Sequence, residues 1–391
     1  MTQPQVNSST VQQVVEVLTE NGMEGMVQAM AVLLNEVMQI ERAKALGAGP
    51  FERTEGRKGY ANGFKDKGLK TRLGMLPLRV PQVRGDVEFY PSALERGRRS
   101  ERALTNAIAE MYVQGVSTRR VSEISEKLCG FEVSSSDVSR AAARLDEELE
   151  QWRTRPLGRV PWLILDGTYE KVRVDGVVRS CAVLVATGVT EDGHRSVLGV
   201  SVSLSEAEPH WRAFLRSLKE RGLHGVAYIV SDDHEGLKKA LGVFGQAVWS
   251  RCQVHLQRNA MAYVPRQSQR KLVAEHLRHV FNAPDQEEAE RLLEVYAKKW
   301  EKPAPELAAW MRKNIPESFG AFTLPPQMRR KLRSNNAAER LNREIKRRTR
   351  VAVIFPNTAS VERLISAILM EVSEDWENGK RYFTTTTQTD D

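Results

Sequence analysis

Three acidic residues that lie far apart in the sequence have the settings expected of a metal-dependent site. Asp166 follows the apolar run WLIL, and Asp232 follows the apolar run AYIV with only Ser231 between. We interpret both runs as strands, so the two acids come at strand ends and can converge in one sheet. Glu339 stands near the start of a predicted helix in the stretch SNNAAERLNREIKRRTR.

Carboxylates held side by side away from water repel each other, and a cation relieves that repulsion. Their hard oxygen atoms favour Mg²⁺ or Mn²⁺. Three acids can hold two such ions about 3.5–4 Å apart, which activate a water or a 3′-hydroxyl and stabilise the leaving oxygen. The hypothesis is therefore that Asp166, Asp232 and Glu339 are catalytic and bind two Mg²⁺ ions, with Mn²⁺ as a substitute.

Each acid also has a simpler explanation. Asp166 precedes Gly167, and Asp-Gly is a common turn. In the run DDHE, residues 232–235, one Asp could cap the following helix. With Asn336 as N-cap, Glu339 occupies the third helical position, and Asn-x-x-Glu is close to a capping box. The residues alone leave these alternatives open.

The helix that contains Glu339 is strongly basic. Six cations from residue 340 to 350 exceed what Glu339 and Glu344 can pair, although Arg343 at i+4 could simply pair with Glu339. Phosphates would balance the remaining charge. The predicted nucleic-acid-binding cations of this helix are Arg340, Arg343, Lys346, Arg347 and Arg350.

Composition points to a soluble globular protein with a polyanion as partner. The chain has 391 residues, 41% of them hydrophobic, and a net charge of +8. Residues 326–350 carry ten Lys or Arg against two Glu, which is the electrostatic footprint of a nucleic-acid-binding protein. A membrane surface fits this stretch less well, because it has no broad apolar face with Trp or Phe.

Several features predict a reducing compartment. The sequence has no run of about 18 apolar residues, and its start, MTQPQVNSST, has no signal-peptide pattern. Cys129, Cys181 and Cys252 are odd in number and widely spaced, so they form no disulfide framework. We expect a cytoplasmic, nucleoid-associated protein without membrane contact.

The N-terminal half is predicted to be mostly helical. Residues 1–49 form a helical region that ends near Gly47 and Gly49, and residues 50–98 form a small module of strands and turns. Residues 99–155 break into three helices, with Ser117 and residues 134–136 as candidate N-caps. They predict a helix-turn-helix, with Arg119 and Arg120 as DNA contacts, or else a small bundle without DNA contact.

From residue 156 the pattern becomes α/β. Hairpin turns at Val-Asp-Gly and Glu-Asp-Gly predict three antiparallel strands, followed by a helix that stops at Gly222 and by the strands AYIV and AVWSRC. This is the element order of a ribonuclease-H-like sheet. The predicted catalytic domain comprises residues 156–254 and 331–375. Residues 255–330 form a helical insertion, and residues 376–391 form a tail that ends in the disordered run TTTTQTDD.

Cys252 and His255 form a C-x-x-H pair close to the second acid. Two ligands are too few for a structural zinc site, which normally takes four. We predict a structural role for the pair, with His255 hydrogen-bonding near the active site, rather than metal binding.

Taken together, these motifs resemble those of the bacterial mutator-type insertion-sequence transposases. The similarity covers most of residues 50–375 and includes LDGTYEKVR, SDDHEGLK, the C-x-x-H pair and NAAERLNREIKRRTRVAVIFPN. It implies a DDE transposase, in which a ribonuclease-H-like catalytic domain with a helical insertion follows DNA-binding modules. It also favours Asp232 over Asp233, because the family motif is Ser-Asp-x-His-Glu-Gly-Leu; Asp233 departs from the small residue usual at the variable position.

The resemblance implies an enzyme that binds terminal inverted repeats, cleaves DNA to free 3′-hydroxyl ends and joins them to target DNA. Because two ends are processed together, a homodimer on DNA is expected. Two alternatives stay open. One is a regulator that binds DNA without catalysis and needs no metal. The other is a structure-specific nuclease on the same fold, which would cut branched DNA without joining ends.

Overall fold

The computed structural model describes residues 8–350 and 352–383, with backbone only at 8, 336 and 337. The chain divides into two compact units, Met1–Arg144 and Leu145–Asp391. The predicted helix-turn-helix region extended to residue 155. The structure forms four helices there instead of the predicted three, because the 3₁₀ turn Ala143–Leu145 divides the third, and the last helix, α6 (Asp146–Thr154), belongs to the second unit.

The first unit begins with two helices, α1 (Ser8–Asn21) and α2 (Met26–Leu46). A 3₁₀ turn, Gly22–Gly25, separates them and interrupts the helix that the apolar spacing predicts for residues 11–46. Helix α2 ends at Gly47 as predicted. Gly47 is left-handed, with φ of 69°, and its N–H closes the last turn onto the carbonyl of Lys44.

A two-stranded antiparallel hairpin follows, formed by β1 (Tyr60–Thr71) and β2 (Gly74–Arg84). Strand β2 alternates between buried and exposed residues, and its buried Leu76, Leu78 and Val80 pack against α2. Strand β1, by contrast, is exposed from Tyr60 to Asp66.

Three short helices complete this unit: α3 (Arg102–Val113), α4 (Thr118–Cys129) and α5 (Ser135–Ala142). Both predicted caps are confirmed. The Ser117 hydroxyl accepts from the backbone of Arg120, and Ser134 forms a capping box with Asp137. Val121 and Val138 are fully buried where α4 and α5 meet.

A five-stranded mixed sheet forms the centre of the second unit, in the order β5-β4-β3-β6-β7. The first three strands are antiparallel, and β6 and β7 run parallel to β3. Both predicted hairpin turns are present, so the order of elements expected from the sequence is confirmed. The strands are β3 (Trp162–Val174), β4 (Val177–Val189), β5 (Arg195–Ser203), β6 (Tyr228–Ser231) and β7 (Val248–Arg251).

The expectation that a short strand ends at Asp166 is wrong, because β3 continues to Val174. It pairs with β4 along its whole length but with β6 only over residues 162–164. Asp166 therefore lies two residues beyond the last parallel pairing. Asp232 directly follows β6, so the two acids still emerge at the same edge of the parallel pair.

Helices surround the sheet and build the insertion. The helices after α6 are α7 (Glu208–Glu220), α8 (Glu235–Ala240), α9 (Gln253–Ala260), α10 (Arg270–Phe281), α11 (Gln286–Glu301), α12 (Pro305–Asn314), α13 (Pro326–Leu332), α14 (Asn336–Thr349) and α15 (Thr358–Asn378). The insertion helices α10, α11 and α12 share an apolar core with α9, and this core includes Leu277, Trp300 and Met311.

The predicted tail is ordered in its first half. Helix α15 runs to Asn378, and Phe383 packs edge-on against Trp162 with ring centroids 5.2 Å apart. The run TTTTQTDD lies outside the described residues. Within the described part of the chain, every helix is too short or too polar to cross a membrane.

Candidate active site

Asp166, Asp232 and Glu339 line one open cleft of the second unit. They come from β3, the end of β6 and α14. His255 of α9 lies among them. Five cations also line the cleft, namely Arg258, Arg343, Lys346, Arg347 and Arg350.

Asp166 is buried on β3, with 8% of its surface exposed, and the turn explanation for it is excluded. Its Oδ1 accepts a hydrogen bond of 3.1 Å from Asn335, and its Oδ2 accepts one of 2.5 Å from Asn342. Burial raises the pKa of Asp166 most, and the nearby carboxylates of Asp232, Glu206 and Glu339 add to the effect, so that its pKa is about 7.

The two adjacent acids after β6 have different surroundings. Asp232 points into the cleft, whereas Asp233 is paired with Lys238 at 2.6 Å and with the buried Arg251 at 2.8 Å. Neither caps α8, since the N-cap position is His234 and no side chain bonds there. The extra charge of Asp233 is thus neutralised by two cations outside the cleft.

Glu339 is the fourth residue of α14, not the third. The N-cap position is Asn335, and its side chain bonds Asp166 instead of capping the helix, so the predicted capping box with Asn336 as N-cap is wrong. Oε1 of Glu339 lies 2.7 Å from Nη1 of Arg258. The contact is an ion pair without hydrogen-bond alignment, because that oxygen has no hydrogen-bond partner among the described residues.

His255 lies between two of the acids. Its Nδ1 is 3.6 Å from Asp232 Oδ1, and its Nε2 is 3.6 Å from Glu339 Oε1. Both distances exceed those of hydrogen bonds, so the bonding predicted for His255 is not formed. Cys252 is fully buried, and its Sγ donates to Asn335 Oδ1 at 2.9 Å. The C-x-x-H pair therefore contacts the acids in two ways: His255 directly and Cys252 through Asn335.

The donor chemistry of the cleft fits a hard cation. Four carboxylates lie close together, namely Asp166 and the three that raise its pKa, Asp232, Glu206 and Glu339. Oε1 of Glu339 is buried and has no hydrogen-bond donor among the described residues. In the described part of the chain, however, no three His, Cys, Asp or Glu side chains already form a closed metal site. Asn335 and Asn342 hold Asp166, and Arg258 holds Glu339, so ion binding requires these side chains to change partners.

Sequence reasoning missed Glu206, which lies between β5 and α7. Its carboxylate packs over Gly167, where a Cβ atom would come within 2.6 Å of the Glu206 carboxyl carbon. Its proximity to Asp166 contributes to the raised pKa of that residue. Asn335, Asn342 and Arg258 were missed as well. The only sign of these three residues in the sequence was that polar side chains stand close to the predicted site residues.

The predicted phosphate-binding cations of α14 fall into three groups. Lys346 bonds Glu170 at 2.9 Å, and Arg347 bonds Glu344 at 2.6 Å. Arg343 and Arg350 line the cleft and have no acidic partner among residues that the structure describes. Arg340 is exposed but does not line the cleft.

Arg119 and Arg120 lie in the first unit, in the first turn of α4. Both are exposed, and both pair with Glu123. They belong to the second of the three short helices, whereas α5 is the third.

Comparison with known proteins gives a consistent family assignment. The profile described as "Transposase, Mutator family" matches residues 1–379. The chain is 54% identical to a transposase for insertion sequence element IS406 from Burkholderia multivorans over 93% of this chain and 95% of the relative.

More distant relatives agree. The chain is 36% identical to the transposase for IS256 in transposon Tn4001 from Staphylococcus aureus, covering 90% of this chain and 91% of that one. It is 37% identical to the transposase for IS1081 from Mycobacterium tuberculosis, covering 90% and 86% respectively. The chain belongs to the Mutator family of transposases.

Proposed function

We propose that this chain is a DDE transposase that cleaves DNA at transposon ends to free 3′-hydroxyl groups and joins them to target DNA. One observation carries the proposal: Asp166, Asp232 and Glu339, from three separate elements, line one cleft together with cations, two of which have no acidic partner in the part of the chain that the structure describes. A carboxylate cluster next to phosphate-binding cations is suited to chemistry on a DNA backbone.

The sheet supports a ribonuclease-H-like assignment of the catalytic unit. Three antiparallel strands are followed by two parallel strands on the other side of β3. The helical insertion separates Asp232 from Glu339 in the sequence, and α14 returns Glu339 to the sheet. These features together favour a DDE arrangement over an unrelated α/β enzyme.

In this proposal, Asp166, Asp232 and Glu339 would hold two Mg²⁺ ions, or Mn²⁺. When bound, these ions would neutralise phosphate charge and make a water or a 3′-hydroxyl more nucleophilic. Asn335 and Asn342 orient the two oxygens of Asp166, and Arg343 and Arg350 hold phosphates at the rim. Without a cation, Asp166 is only partly ionised near neutral pH, because its pKa is about 7.

The three-helix segment of the first unit, α3 to α5, would recognise the transposon ends. Helix α5 exposes Ser135, Ser136, Ser139 and Arg140, a set that can donate hydrogen bonds to a DNA groove, and Arg119 and Arg120 would contact the backbone beside it. We propose that the protein acts as a homodimer on DNA, because two ends are joined to one target. Because its proposed substrate is DNA, we also propose that it acts in the cytoplasm, at the nucleoid.

The test is a cleavage and strand-transfer assay on a labelled duplex that carries the ends flanking the gene. The wild-type protein should cut and join with Mg²⁺, and Glu339→Ala should lose both reactions while still binding the duplex. Undiminished strand transfer by Glu339→Ala would overturn the assignment. Cutting of branched DNA without joining would instead support the structure-specific nuclease, and metal-independent binding without any cutting would support the regulator.

A further inference from the structure

The hairpin of the first unit carries a large share of the excess positive charge of the chain. Residues 57–84 contain eight Lys or Arg and one Asp, a net charge of +7, whereas the whole chain has a net charge of +8. This concentration lies outside α14 and outside the three-helix segment, so the candidate active site and the predicted helix-turn-helix do not account for it.

Strand β1 is exposed for a structural reason. Strand β2 packs on α2 through its alternate apolar residues. Strand β1 is an edge strand that adds Leu69 to this core and meets α2 through Arg42, which lies over Phe64 and donates to the carbonyl of Gly63. Seven consecutive residues of β1, from Tyr60 to Asp66, are exposed. An exposed edge strand can pair with the backbone of another chain unless charged side chains prevent it. Here nearly all of the charged side chains are positive.

Most of these cations have no acidic partner. Lys70 pairs with Asp137 at 3.4 Å, and Arg72 pairs with Glu101 at 3.1 Å. Among the described residues, the other six cations of the hairpin segment form no ion pair. Five of them, together with two aromatic residues, make up what we call the ribbon surface: Arg57, Lys58, Lys65, Arg79 and Arg84 with Tyr60 and Phe64.

The two aromatic rings hold the arginines in place. Arg57 and Arg84 lie over Tyr60, with guanidinium carbons 5.1 and 5.7 Å from the ring centroid. Arg79 lies 4.8 Å over Phe64. A guanidinium fixed by an aromatic ring loses less conformational freedom when it binds an anion. Since guanidinium groups already occupy the rings, stacking of unpaired bases on them is disfavoured.

We propose that the ribbon surface binds the backbone of duplex DNA. Like charges that are held close together without acids repel one another, and a phosphate backbone relieves that repulsion with release of counterions. A two-stranded ribbon also has a width that the major groove accepts. The inference rests on the proposed function only in taking DNA as the substrate, and it adds a contact surface separate from α4 and α5.

The experiment uses the full chain and a labelled duplex, with affinity measured by fluorescence anisotropy across a salt series. The test variant replaces Arg57, Lys58, Arg79 and Arg84 by Gln. The matched control replaces four exposed lysines of the insertion by Gln, namely Lys271, Lys298, Lys302 and Lys313. Each lost phosphate contact lowers the slope of log K against log salt by about 0.9, so for four lost contacts we expect a decrease of about 3.6 and more than tenfold weaker binding in the test variant only.

A second measurement on the wild-type protein does not depend on any variant folding. Backbone amides of residues 60–67 should exchange more slowly with solvent when saturating duplex is present. An unchanged slope in the test variant, an equal loss in the control, or unchanged exchange in β1 would each overturn the inference. If the wild-type chain binds no duplex at all, the proposed function itself fails, which is a distinguishable result.

Discussion

The amide nitrogen of Asn335 donates a hydrogen bond of 3.1 Å to Oδ1 of Asp166. The oxygen of the same amide accepts from the thiol of Cys252 at 2.9 Å. Asn335 and Cys252 are both fully buried, so water cannot replace either bond. Because a thiol can donate to the amide oxygen and a carboxylate can accept only from the nitrogen, the two contacts fix one orientation of Asn335. Cys252 is therefore a positioning residue for Asp166.

Replacing Cys252 tests this role. Cys252→Ala removes the donor and should slow DNA cleavage about tenfold, since about 1.4 kcal/mol is of the order of one buried hydrogen bond. Cys252→Ser keeps a donor and should restore most of the rate. Single-turnover cleavage at saturating duplex separates the effect from binding, which should be the same in both variants. A full rate in Cys252→Ala would show that the thiol only fills space.

The sequence was sufficient to predict that the three acids meet, because the apolar run before Asp166, the strand end before Asp232 and the helix start before Glu339 are local features. It could not show that β3 continues past Asp166, since that depends on pairing with β4 over thirteen positions. The cap assignment of Asn336 failed for a similar reason. Local propensity favours an Asn side chain that caps the helix, but Asn335 occupies the cap position and bonds Asp166 instead.

The residues that sequence reasoning missed share one property: their role depends on tertiary contacts. Glu206 precedes α7 in a segment with no motif, and only the fold places it over Gly167. Arg258 lies 81 positions before Glu339 in the sequence, yet the two form an ion pair. No spacing rule connects such pairs, so they can be identified only in a structure.

The raised pKa of Asp166 predicts a pH-dependent effect on stability. Asp166 has a pKa of about 7 in the fold and an ordinary value of 3.8, so between these values the unfolded chain binds fewer protons than the folded one. Stability without metal therefore falls as the pH rises from about 4 to 7. Asp166→Asn removes this loss. In EDTA, the free energy of unfolding of the Asp166→Asn variant should exceed that of the wild type by at most about 4 kcal/mol at pH 8, and by much less at pH 5.

Urea denaturation at the two pH values measures the difference. Asp192→Asn is the control of opposite sign. The Thr190 hydroxyl lowers the pKa of Asp192, so its carboxylate stabilises the fold above its ordinary pKa, and the variant should be less stable than the wild type at pH 8. If Asp166→Asn is no more stable than the wild type at pH 8, then the burial of Asp166 does not impose the expected cost.

The ion pair between Arg258 and Glu339 should compete with divalent cations for the carboxylate. Arg258→Gln frees Glu339, so the Mg²⁺ or Mn²⁺ concentration that gives half of the maximal rise in Tm should fall. The Arg258 side chain is 62% exposed, which limits the pair to a modest energy, and we expect a two- to fivefold change. Thermal denaturation of DNA-free protein across a metal titration measures it.

Arg343→Gln provides the matched control, because Arg343 lines the same cleft without an acidic partner among the described residues. It removes the same charge but breaks no ion pair. If both variants shift the metal midpoint equally, the effect comes from the general field of the cleft. A shift confined to Arg258→Gln would show direct competition for Glu339.

Gly236 of α8 provides a steric test of how the segment that carries Glu206 is held. A Cβ atom at Gly236 would lie 2.3 Å from the carbonyl oxygen of Glu206 and 2.7 Å from the backbone nitrogen of Glu208. Both contacts are with backbone, so neither can be relieved by a side-chain rotation. Gly236→Ala should therefore lower the free energy of unfolding by about 2 kcal/mol or more and displace Glu206 from Gly167.

Gly242→Ala is the control, since a Cβ at Gly242 meets no atom within 4 Å and the residue lies in the 3₁₀ segment Leu241–Phe244 that follows the same helix. Alanine there should leave stability unchanged or raise it slightly, because it restricts the unfolded chain. Urea denaturation of the two variants gives the comparison. If Gly236→Ala is as stable as Gly242→Ala, residues 206–208 can move away from Gly236 at little cost. Glu206 would then be able to move away from Asp166 as well.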